Sequence, residues 1–75
     1  MSKLPALPAR SVVKVLHEFG FKPVRQTGSH IHLWSEGQRK LVTVPNHREL
    51  ARGTLLAILK QAGLARKVFI RGLRR

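Results

Sequence analysis

The sequence predicts a small two-layer α+β domain: a three-stranded antiparallel sheet with helices on one face. Three observations carry this reading. Apolar residues recur at helical spacing near both ends of the chain. Between them lie three short strand-like runs separated by turn residues. And 75 residues leave room for one domain, expected to span 1–75. A chain of this length buries only about 60% of its unfolded surface, so the core must be economical. The 43% hydrophobic content is enough for two thin layers.

Taken in order, residues 1–8 contain Pro5 and Pro8 and read as an irregular lead-in. Over residues 9–19, Val12, Val15, Leu16 and Phe19 follow the i, i+3, i+4, i+7 spacing of an amphipathic helix, and Gly20 suits its C-terminal end. Residues 21–26 read as extended; Pro23 cannot donate to a ladder, which places this strand at a sheet edge. Thr27-Gly28-Ser29 is a turn. The next five residues alternate, with Ile31 and Leu33 on one face and His30, His32 and Trp34 on the other. Ser35-Glu36-Gly37-Gln38 connects to a third strand over 40–44, ended by Pro45. After a polar loop over 46–53, Thr54 opens a second helix, with Leu55, Ile58, Leu59 and Ala62 facing the core and Gly63 closing it. Leu64, Val68, Phe69 and Ile70 fit a short helix or an extended segment equally, so residues 65–75 are taken as a basic C-terminal tail.

Charge narrows the partners. Fifteen Lys and Arg against three acids give +12, and self-repulsion of that size points to an anionic partner. Nucleic acid is the first choice, with an acidic protein or membrane surface second. No run is apolar and long enough to span a membrane, and the first ten residues lack the apolar stretch of a secretion signal. The absence of cysteine removes disulfides and thiolate chemistry and favours the cytoplasm.

Four histidines are many for this length. Cutting RNA requires a 2′-hydroxyl to be activated, charge on phosphorus to be stabilised and a 5′-oxygen to be protonated. An imidazole moves protons near neutral pH, and Lys or Arg supplies the positive charge. No metal or other cofactor is needed for that route. His30 is the best catalytic candidate, because it follows a tight turn at the start of a strand. His32 shares its face and reads as an ordinary solvent-exposed or hydrogen-bonded side chain, with phosphate contact as the alternative; His17 reads as plain surface. Trp34 either stacks an unpaired base or packs at the sheet edge. Lys22, Arg25, Arg39 and Lys40 are expected along the same sheet, and Ser29 in the turn beside His30. His30, His32 and His47 could together bind zinc, but without carboxylate or thiolate ligands a metal site is not expected.

Gly28-Ser29-His30, Val44-Pro45-Asn46-His47 and the run from Gly53-Thr54-Leu55 through Ile58-Leu59-Lys60-Gln61-Ala62-Gly63, preceded by Gly20-Phe21, resemble the HicA toxin family in motif, order and spacing. The resemblance covers about residues 11–64. It implies a fold like the double-stranded-RNA-binding domain, α-β-β-β-α. It also implies ribosome-independent cleavage of mRNA, growth arrest and neutralisation by a HicB-type antitoxin. The family's catalytic histidine corresponds to His30. The second motif histidine corresponds to His47, where a hydrogen bond ordering the loop competes with a catalytic role. His47 joins Lys22, Arg25, Ser29, His32, Trp34 and Lys40 as an RNA-contact candidate. His30, Trp34, Leu56 and Phe69 are the candidates to face the antitoxin. The alternative function is a non-catalytic module that binds structured RNA.

Overall fold

The computed structural model describes residues 6–74. The elements run α1 (Ala9–Glu18), β1 (Phe21–Thr27), β2 (His30–Ser35), β3 (Lys40–Pro45), α2 (Arg52–Ala62) and α3 (Arg66–Leu73). The three strands form one antiparallel sheet in the order β1-β2-β3, which puts Pro23 on an edge strand. One sheet face is covered: Leu33, Val42 and Val44 are buried against Val12 and Leu16 of α1 and Leu55 and Leu59 of α2. The opposite face, carrying His30, His32 and Trp34, is open. The expected two-layer α+β arrangement, consistent with a double-stranded-RNA-binding-like fold, is the one observed.

Two tight connections hold the sheet in register. Thr27 pairs with His30 across a loop of two residues, Gly28 and Ser29. Gly28 has φ of 58° while Ser29 keeps an ordinary φ, which fits a hairpin turn whose first position favours glycine. The β2–β3 loop is longer, and the residue that takes the left-handed conformation there is Arg39 (φ 54°), not Gly37. Ser35, the one polar residue buried among those described, accepts the Gln38 N–H on its Oγ at 3.1 Å and so braces this loop. At the end of α2, Gly63 (φ 72°) lets the Leu64 N–H reach the Leu59 carbonyl and its own N–H the Lys60 carbonyl, a Schellman closure.

The structure differs from the sequence reading at the chain ends. Residues 66–73 are a third helix rather than a tail. Phe69 anchors it with no exposed surface, and Gly72 packs against Val15 of α1. Phe69 is therefore a core residue and cannot face an antitoxin, whereas Leu56 is 38% exposed on α2. The second helix begins at Arg52, two residues before Thr54. Of the lead-in, residues 1–5 lie outside the described residues, as does Arg75. Leu7 forms an antiparallel bridge with Leu50, whose N–H donates to the Leu7 carbonyl at 2.7 Å.

Candidate active site and nucleic-acid interface

His30 opens the central strand directly after the Gly28-Ser29 turn, flanked in register by Thr27 on β1 and Pro45 on β3. Its side chain is exposed, and among the described residues its imidazole has no hydrogen-bond partner. The turn that presents it is fixed from the far side, because the Ser29 carbonyl accepts the Asn46 N–H. This bond extends the β2–β3 ladder and ties the Gly28-Ser29-His30 turn to the Pro45-Asn46-His47 segment. That segment is itself pinned: the His47 N–H donates to the Pro45 carbonyl at 2.9 Å, and the His47 carbonyl accepts the Ala9 N–H at the start of α1 at 3.0 Å. His47 thus orders its loop through its backbone. Its exposed side chain stays at the same end of the sheet as His30.

The rest of the open face is arranged by a β-bulge. The β1–β2 register shifts between Pro23 and Arg25, leaving Val24 unpaired and 58% exposed. In a regular strand, positions 22 and 25 would point to opposite faces. The extra residue restores them to one face, so Lys22 opposes Trp34 and Arg25 opposes His32. Arg25 lies diagonal to His30 and is the sheet cation nearest it in register. His32 is half-buried, and its Nδ1 shares a hydrogen bond of 3.0 Å with Thr43 Oγ1 on β3. Trp34 is also half-buried; its Nε1–H donates to Glu36 Oε1 at 3.0 Å, holding the indole between Lys22 and Leu41.

The structure therefore brings Lys22, Arg25, His30, His32 and Trp34 onto one face, with Ser29 at its end. Lys40 does not join them. It shares its strand parity with buried Val42 and Val44, and its Nζ reaches within 3.1 Å of where a side chain on Gly63 would stand. There it lies beside the carbonyl end of α2, a favourable place for a cation. The sequence reading also passed over Leu41, 53% exposed next to Trp34. The alternation with Val42 and Val44 was the signal that could have found it. Among the described residues, no group of three or more His, Cys, Asp or Glu converges as a metal site.

The site is thus a solvent-facing histidine at a tight turn, on the open sheet face of a small basic α+β domain. The model of the HicA toxin of bacterial toxin–antitoxin systems matches residues 9–64, from the start of α1 to just past α2, and the chain belongs to that family. It is accordingly a toxin of a toxin–antitoxin pair. No curated protein matches the chain significantly. No helix among the described residues is long and apolar enough to cross a membrane.

Proposed function

We propose that this toxin is a metal-independent endoribonuclease that cuts mRNA in the cytoplasm with His30 as its catalytic residue. The observation that carries the reading is the position of His30: exposed, its imidazole without a hydrogen-bond partner among the described residues, and presented by a turn bonded to the Asn46 segment. His32 shares the face, but its Nδ1 is engaged by Thr43, which suits a positioning or phosphate-contact role. In the proposed reaction the imidazole of His30 takes the proton of a ribose 2′-hydroxyl. The 2′-oxygen bonds to phosphorus, the bond from phosphorus to the 5′-oxygen breaks, the departing oxygen takes a proton from water, and the imidazolium returns its proton to solvent. Arg25, diagonal to His30, is placed to offset charge gathering on the phosphate. The products are a 2′,3′-cyclic phosphate and a 5′-hydroxyl.

The partner that restrains the toxin is proposed to be a HicB-type antitoxin with an acidic surface, which the +12 charge would attract. The apolar residues suited to it are half-buried Trp34 and exposed Leu41, paired on the open face at the other end of β2 from His30, with Leu56 on α2. An antitoxin that extended from there along the open face would bury His30. The test of the reaction is the chemistry of the cut ends. Digestion of a defined transcript should leave cyclic phosphates resistant to a phosphatase until opened by acid. A 3′-hydroxyl at the cut would rule out 2′-oxygen attack. Binding without any cutting would make the chain a non-catalytic RNA-binding module.

A further inference from the structure

On the helix side of the sheet, opposite the face that carries His30, α1 and the β1–β2 hairpin leave a groove of about 630 Å³. That falls within the ~300–1,000 Å³ typical of small-molecule sites. Val13 on α1, Pro23 on β1 and Ile31 on β2 form apolar walls. Cations stand beside them: Arg10 and Lys14, one turn apart on α1. The polar groups along it are the amides of Gln26 and Asn46, with His17 and Glu18 towards the C-terminal end of α1.

This combination matches one kind of occupant. Apolar walls and the imidazole of His17 can cover the flat face of a nucleobase, and a side-chain amide offers both a donor and an acceptor to a base edge. Arg10 and Lys14 can hold the phosphate that follows. Gln26 is already positioned, since its Nε2 donates to the Gly28 carbonyl at 3.3 Å and leaves its own oxygen free to accept. A paired base cannot use such a groove, because its faces are stacked inside the duplex. The groove opens on the other face of the sheet from His30 but at the same end of it. Ile31 directly follows His30, and the Asn46 N–H is bonded to the carbonyl of Ser29.

We infer that the groove between α1 and the β1–β2 hairpin receives an unpaired nucleotide of the RNA, on a strand that passes around the end of the sheet to the phosphate offered to His30, and so selects single-stranded substrate. This rests on the proposed ribonuclease reading for what lies next door, but its test does not require cleavage. Binding is measured in the His30→Ala background, with a short unstructured RNA oligonucleotide and with the same strand annealed to its complement, at one fixed salt concentration. The single strand should bind about tenfold or more tightly than the duplex, the scale of one stacked base. Val13→Phe, which fills the groove, should remove that preference while leaving duplex binding unchanged. Gln26→Ala, an exposed change that leaves the core untouched, should weaken single-strand binding in the same direction. Equal affinity for both RNAs would overturn the inference, as would single-strand binding insensitive to both substitutions. If Val13→Phe instead spares RNA binding and abolishes capture of an acidic partner protein, the groove is a protein-docking site and the inference falls. Loss of cleavage alone bears only on the role of His30.

Discussion

His30 and His32 lie two residues apart on one face of β2, yet their surroundings give them different work. His32 is half-buried and bonded to Thr43, so replacing it strands a hydroxyl beside the sheet. His32→Ala should lower unfolding free energy by about 1 kcal/mol in urea titration, the usual value of one such bond. His30→Ala removes an exposed side chain that makes no hydrogen bond among the described residues, and should leave the urea midpoint nearly unchanged while removing cleavage. The sequence alternation separated these side chains from Ile31 and Leu33 correctly. It could not say which imidazole was tethered, because that depends on Thr43, eleven residues away on another strand. Arg39 makes a similar point about turns. The β2–β3 connection contains Gly37, but the left-handed position is taken by Arg39, whose N–H closes on the Ser35 carbonyl at 2.7 Å. Left-handed backbone costs a residue with a Cβ about 1–2 kcal/mol. Arg39→Gly should therefore raise the melting temperature, net of glycine's greater freedom when unfolded.

Among the elements, α3 was the hardest to read and is the most dependent on its context. It has eight residues, Ala65 at its N-cap without a side-chain bond, and no acid in its first turn. Alone, a helix so short would be marginal in water. Burial of Phe69 and the seat of Gly72 on α1 hold it in place, and neither contact is visible in a local pattern. Two changes test this. Ala65→Ser supplies the missing cap and should stabilise the fold by about 1 kcal/mol in chemical denaturation. Gly72→Ala would ordinarily favour a helix, but here the new Cβ would meet Val15 Cγ1 at 2.9 Å. It should destabilise by roughly 1–3 kcal/mol, as overpacking does. By contrast, α1, α2 and β2 were legible because their periodicities are regular and glycines mark the ends of both helices. The β1 bulge was not legible: Pro23 warned of an irregular edge, but only the pairing with β2 reveals that Lys22 and Arg25 share a face.

At the scale of the whole molecule, charge and topology act together. A +12 chain of 75 residues repels itself, and added salt screens that repulsion. Its melting temperature should rise as sodium chloride increases through the physiological range, while its affinity for RNA falls. The slope of log affinity against log salt should be about −0.7 for each phosphate contacted on a single strand. Substituting Lys22 or Arg25, the cations on the open face, should make that slope shallower. Composition pointed to an anionic partner from the start, and the motif resemblance pointed to the family that the comparison establishes. Neither could show that Lys40 turns away to the end of α2 or that Phe69 is buried, since both depend on how helices settle on the sheet. The most direct measurement is a time course of a long mRNA with purified wild-type and His30→Ala protein in excess EDTA, resolved on a denaturing gel. Cleavage by wild type alone is the predicted result. Equal cutting by both proteins, or cutting that disappears with the chelator, would contradict a metal-independent reaction centred on His30.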